Sequence, residues 1–183
     1  MAQAYLALHA TSRFLIVKKR FSNQWWDGAI AGAAVVNQAG QYAFPGGRMN
    51  PGETAIEAAL REFYEESGFA ISNAKTSDIG VVIQNANYSL VQCDISDQYL
   101  GQIEVAVRAN IQPSGVNPAR PSGAQVKDWE FGECMVVTAP QLAIYLGAPR
   151  SIPTAHNAAV SARPAHTQSV DWYGVMANEL LDF

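Results

Sequence analysis

The sequence predicts a mixed α/β fold in which helices cover a mixed β-sheet, and three observations carry that expectation. Two apolar runs near the start, YLALHA and FLIVKK, flank a polar turn at Thr11, Ser12 and Arg13 and read as a strand pair. Residues 54–67 place Ile56, Ala59, Leu60 and Phe63 at three- and four-residue spacings, which predicts a helix with one apolar face. Further strands and helices follow without βαβ regularity, which argues against a Rossmann sheet.

The elements follow in order. Ile16 and Val17 are β-branched and support the second strand. Residues 23–41 are rich in small side chains and are compatible with loop, short helix or strand. Pro45, Gly46 and Gly47 then mark a turn. The helix at 54–67 is preceded by Pro51 and Gly52, and Gly68 stands where a left-handed C-terminal cap belongs. Residues 79–84 and 88–93 read as strands, and 102–110 as a third, because Ile103, Val105 and Val107 alternate with Glu104, Ala106 and Arg108. Residues 112–125 form a Pro-, Gly- and Ser-rich loop, 128–137 contain a strand, and 140–146 a helix opened by Pro140. Residues 151–167 show little periodicity, and 169–181 read as a helix directing Val170, Tyr173, Ala177 and Leu180 inward.

Bulk properties narrow the function. A chain of 183 residues, 49% hydrophobic and 15% charged, suits a single globular domain with a terminal extension. A formal charge of -4 argues against coating extended nucleic acid, which needs many cationic contacts to phosphates. It leaves room for a single nucleotide, whose phosphates a metal neutralises. The two cysteines, Cys93 and Cys134, have no partner at metal spacing and read as reduced thiols of a cytoplasmic protein. No apolar stretch reaches membrane-spanning length, and the start lacks the features of an export signal.

The chemistry concentrates in residues 46–69, GGRMNPGETAIEAALREFYEESGF. Glu62, Glu65 and Glu66 stand at i, i+3 and i+4, so a helix gathers their carboxylates on one face. Like charges so placed repel by roughly a few tenths of a kcal/mol per pair. A hard divalent cation relieves that repulsion, since Mg²⁺ takes oxygen ligands and is shared between carboxylates and substrate phosphates. Three glutamates alone would read as a solvated acidic face. Their surroundings decide otherwise.

Gly47, Glu53, Arg61, Glu62, Phe63, Glu65, Glu66, Gly68 and Phe69 match, position for position, the box of the Nudix hydrolases, which the chain therefore resembles. The resemblance implies an α/β/α sandwich with a mixed sheet, a Nudix domain over residues 1–148 and a C-terminal extension, with a helix, over 149–183. It implies Mg²⁺, with Mn²⁺ as a substitute, held by Glu62, Glu65, Glu66 and the carbonyl of Gly46, while Glu53 and Arg61 brace the loop and orient the ligands. The implied reaction is attack of a metal-activated water on a nucleoside diphosphate linked to another moiety, of the nucleoside triphosphate or nucleotide sugar type. The products would be a nucleoside monophosphate and a phosphorylated fragment.

Weaker signals surround this core. Arg48 is within reach of a phosphate, Trp25 and Trp26 precede the box where a base pocket is often built, and Tyr88 stands loosely where some dinucleoside-polyphosphate enzymes carry a tyrosine. For each the plainer reading is structural: an exposed arginine, a core or surface tryptophan, a cross-strand tyrosine. The loop at 112–127 contains no acid, so the general base falls among Glu66, Glu104 and the later Asp128, Glu130 and Glu133. His9, His156 and His166 have no metal spacing. Two rivals stand beside the small-nucleotide reading. One is a hydrolase of RNA 5′ ends, for which Lys18, Lys19 and Arg20 are the one basic cluster; the other is a non-catalytic, nucleotide-binding regulator. Residues 23–41 and 149–183 offer surface for a homodimer, which is common in the family.

Overall fold

The computed structural model describes residues 2–20, 22–26, 29–35, 40–111, 125–147 and 172–181, with the backbone alone over 22–26 and 29–35. Strands β1 (Gln3–Ala10) and β2 (Arg13–Lys19) join through a tight turn in which Thr11 has a φ of 54°. They pair antiparallel only beside that turn, His9 against Phe14 and Ala10 against Arg13, and then part. The chain at 41–48 fills the parting. Its strand β5 (Tyr42–Ala43) pairs with β2, and β6 (Gly46–Arg48) pairs with β1. The amide of Leu6 donates to the Pro45 carbonyl, and that of Lys19 to the Gln41 carbonyl, so the glycine turn is seated between the two strands.

Strand β8 (Tyr88–Ile95) runs parallel to β1, and β7 (Thr76–Gln84) flanks it antiparallel, while β9 (Phe131–Thr138) pairs along β2. Among the described residues these seven strands form one mixed sheet, and β3 (Ser22–Trp26) and β4 (Ala29–Val35) form a separate hairpin. The ambiguous small-residue segment thus contains strands.

Helix α1 (Ala55–Ser67) starts on a capping box, Thr54 with Glu57, and ends on Gly68 at a φ of 68°. Phe63 is fully buried from its inner face; burying a side chain of that size contributes about 2–3 kcal/mol.

Residues 102–110, read above as a strand, lie instead in helix α2 (Asp97–Asn110). The alternation misleads because Val105, one of its three apolar members, is 70% exposed. The residues that reach the core are Tyr99, Leu100, Ile103 and Val107, at helical spacing, and Ser96 caps the first turn by accepting from the Tyr99 amide. Helix α2 also satisfies β9: the Val136 amide donates to Glu104 Oε1 at 3.2 Å, and Arg108 Nε donates to the Cys134 carbonyl at 2.7 Å.

Helices α3 (Ala139–Gly147) and α4 (Trp172–Leu181) complete the described structure. Leu142, Leu146, Tyr173, Met176, Ala177 and Leu180 join the core that contains Leu6, Leu15 and Ile16. No described helix is long and apolar enough to cross a membrane.

Candidate active site

Arg61 organises the turn between β6 and α1. Its Nε and Nη2 donate to the two carboxylate oxygens of Glu53 at 2.7 and 3.0 Å, a bidentate pair. Its Nη1 donates to Glu62 Oε1 at 2.9 Å and Glu65 Oε2 at 2.8 Å, and Nη2 also donates to the Arg48 carbonyl at 2.8 Å. One guanidinium therefore ties the loop to two turns of the helix. Its hydrogen bond holds the Glu53 carboxyl below the usual range. Burial pushes Glu62 above that range, and Arg61 only partly offsets it.

The two glycines are required for different reasons. A Cβ at Gly46 would lie 2.2 Å from the Ala4 carbonyl oxygen, and the residue's φ of +145° is one that L side chains rarely adopt. A Cβ at Gly47 would instead lie 2.6 Å from Glu62 Oε2, so the missing side chain leaves room for that carboxylate.

Beside these, carboxylate oxygens of Glu62, Glu65 and Asp128 lie within 4.8 Å of one another. Asp128 arrives from 63 residues further on because the Glu65 carbonyl accepts from the amides of both Lys127 (2.8 Å) and Asp128 (3.0 Å). In the sequence Asp128 stands out only as one acid among several after the loop. Three oxygen donors so gathered suit a hard divalent cation.

Glu66 is engaged differently. It is 2% exposed, with Oε2 accepting from the Gly46 amide at 3.0 Å and Oε1 from Lys19 Nζ at 3.1 Å. Lys19 also donates to Glu130 Oε2 at 2.5 Å. Burial alone would lower the Lys19 pKa, but the Glu130 and Glu66 carboxylates outweigh it and keep the ammonium charged. The run Lys18, Lys19 and Arg20 is thus no basic surface: Lys18 pairs with Glu133 at the surface, Lys19 is buried between acids, and Arg20 lies 4.1 Å over the Trp129 ring while donating to the Ile111 carbonyl.

Together these groups line a cavity of about 480 Å³. Its wall carries five carboxylates, Glu62, Glu65, Glu66, Asp128 and Glu130, against the cations Lys19, Arg48 and Arg61. Gln3 and Tyr5 from β1 and Tyr173 from α4 line it as well. Glu104 does not; it pairs with Arg108 and holds β9. Tyr88 is a core residue, 5% exposed, its ring 5.1 Å from that of Trp172, and it too is absent from the lining. The Trp25 and Trp26 side chains, His156 and His166 lie outside the described residues, while His9 pairs with Asp94 at 2.9 Å.

The NUDIX domain model matches residues 4–155. The chain belongs to the Nudix domain family. It is similar to Nudix hydrolase 3 of Caenorhabditis elegans, 55% identical over 40 residues that cover 22% of this chain and 15% of that protein. The match therefore spans about a seventh of that relative's length. Among solved structures, the chain is similar to a mutT/nudix family protein from Listeria innocua, at 13% identity and a TM-score of 0.45, covering 100% of this chain and 97% of the other. It is also similar to the MutT protein from Methanosarcina mazei, at 14% identity and a TM-score of 0.42, covering 98% and 94%.

Proposed function

We propose that this Nudix chain is a Mg²⁺-dependent pyrophosphohydrolase, with Mn²⁺ as a substitute. It cleaves a nucleoside diphosphate linked to another moiety, of the nucleoside triphosphate or nucleotide sugar type, to a nucleoside monophosphate and a phosphorylated fragment. The observation that carries the reading is the trio Glu62, Glu65 and Asp128, gathered within 4.8 Å in a cavity whose Arg61 holds two of the three in place. A bound divalent ion supplies charge neutralisation on the phosphate oxygens and a more acidic water.

The chain's own residues supply the rest. Glu62, Glu65 and Asp128 would hold the ion, with the Gly46 carbonyl as a further oxygen donor. Glu53 fixes Arg61, and Arg61 keeps the ligand carboxylates from swinging apart. Both Glu66 oxygens are oriented, one by Lys19 and one by the Gly46 amide, so we assign Glu66 the proton of the attacking water instead of a place on the metal. Among the described cations that line the cavity, Lys19 and Arg61 hydrogen-bond to the acid cluster, and Arg48 offers its charge to the substrate phosphates. The dispersal of Lys18, Lys19 and Arg20 favours a small substrate over an RNA end, which needs a continuous basic channel. We further propose that the enzyme works in the cytoplasm on free nucleotides, without membrane or extended nucleic acid, and that a homodimer is compatible with this role.

A panel of nucleoside triphosphates, UDP-glucose, GDP-mannose and a triphosphorylated RNA oligomer, with and without Mg²⁺, tests the reading through identified products. Metal-dependent release of a nucleoside monophosphate from a small nucleotide is expected. Tight binding with no turnover would establish the non-catalytic regulator instead.

A further inference from the structure

We propose that helix α4 is part of the catalytic apparatus, with Tyr173 as a positioning residue whose hydroxyl neighbours the buried Lys19 ammonium. The inference rests on the cavity being the site of hydrolysis. Helix α4 lies beyond residue 155, where the family match ends, yet Tyr173 lines the same cavity as Lys19, Glu66 and Glu130.

Three observations place it there. Tyr173 is 2% exposed, and its ring meets that of Tyr5 edge-on at 5.2 Å, so it offers no open face for stacking a nucleobase. What it brings to the cavity is a polar tip. Its side chain hydrogen-bonds with that of Tyr5, whose hydroxyl in turn donates to Gln3 Oε1. An ammonium has three N–H donors, and Lys19 gives two of them to Glu66 and Glu130. Tyr173 and Lys19 line the same cavity and lie close enough to interact electrostatically, so the phenol oxygen is assigned as the neighbour of the third.

The consequence is a relay of position. Tyr173 orients Lys19, and Lys19 orients Glu66 against the Gly46 amide, beside the metal-binding trio. Tyr5 meets the Tyr173 ring directly, and Trp172 of the same helix packs against Tyr5 and Tyr88, which anchors this end of α4. The C-terminal helix thereby sets the geometry of a group contributed by the box.

Tyr173→Phe keeps the ring and removes the hydroxyl. Met176→Ala, on the same helix but in the core and off the cavity lining, controls for a loosened α4. The first readout is the ¹⁵N-ammonium NMR signal of Lys19, assigned by its loss in Lys19→Arg; it should shift in Tyr173→Phe and stay in place in Met176→Ala. The second is turnover of whichever panel nucleotide the wild type cleaves: kcat about tenfold lower in Tyr173→Phe with KM within twofold, and kcat in Met176→Ala within twofold below its melting temperature. An unmoved Lys19 signal, a Tyr173→Phe kcat within twofold of wild type, or an equal loss in Met176→Ala overturns the inference. If the wild type cleaves nothing in the panel, the hydrolase reading falls and the Lys19 signal alone decides the place of Tyr173.

Discussion

Replacing Gly47 by alanine separates the acid cluster from the fold. Gly47 has no positive φ, so its backbone accepts alanine. The new Cβ, however, would stand 2.6 Å from Glu62 Oε2 and 2.8 Å from its Cδ, whereas ordinary van der Waals contact begins at 3.4 Å. The atoms met belong to the end of a side chain, so the carboxylate moves, by about 0.8 Å, and the backbone stays. Mg²⁺ holds its oxygens at about 2.1 Å in near-ideal octahedral geometry and tolerates little displacement. Disturbing the support of a ligand typically costs about 10–100-fold in metal affinity. Isothermal titration with Mn²⁺ should therefore show Gly47→Ala weaker by about that factor, roughly 1.4–2.8 kcal/mol, with a metal-free melting temperature close to wild type. Gly46→Ala sets the contrast: its Cβ meets backbone at 2.2 Å, and the strained φ adds about 1–3 kcal/mol, so this variant should lose stability first. Unchanged Mn²⁺ affinity in a folded Gly47→Ala would refute the placement of Glu62 at the metal.

Three further expectations follow from the same geometry. Arg61→Lys keeps the charge but loses the fork that grips Glu53, Glu62 and Glu65 together, so metal affinity should drop about tenfold and stability by about 1–2 kcal/mol, read by titration and urea melts. Glu104→Gln should leave turnover within twofold, since Glu104 serves β9 and not the cavity; a loss above tenfold would return it to the list of bases. The pH dependence has two parts with opposite signs. Burial raises Glu62 and Glu66, so the metal-free protein should gain stability as pH falls from neutral toward their ordinary 4.5; Arg61 lowers Glu53, whose contribution is present above its unfolded value and lost as pH falls through its folded one. Because the ion binds the ionised carboxylates, Mg²⁺ should raise the melting temperature more at about pH 7.5 than at about pH 5, and an equal increment at both would contradict the assignment.

Much of this was legible from local signals. The β1–β2 pair, helix α1 with its Gly68 cap, and β7–β8 are specified by short-range pattern, and the structure places them where the pattern does. Helix α2 was misread because the strand pattern over 103–107 ignored Ser96 and Asp97, an N-terminal cap signal, and Leu100, which together restore the helical period. The site divides the same way. Glu53, Arg61, Glu62 and Glu65 are near neighbours in sequence, and helical spacing brings most of them together. Lys19 resembled one of three solvated cations because its partners, Glu66 and Glu130, stand 47 and 111 residues away. Asp128 and Tyr173 reach the cavity through contacts with α1 and β1 that no local period encodes.

We propose that a divalent ion held by Glu62, Glu65 and Asp128 supports cleavage of a diphosphate in this cavity. The most direct test follows the products of the panel nucleotides by ³¹P NMR for the wild type and Glu65→Gln, each with Mg²⁺ and with EDTA. Mg²⁺-dependent conversion of a small nucleotide to its monophosphate is expected for the wild type, and at least a hundredfold slower conversion for a folded Glu65→Gln. Equal rates in the two proteins, or cleavage that persists in EDTA, would contradict it.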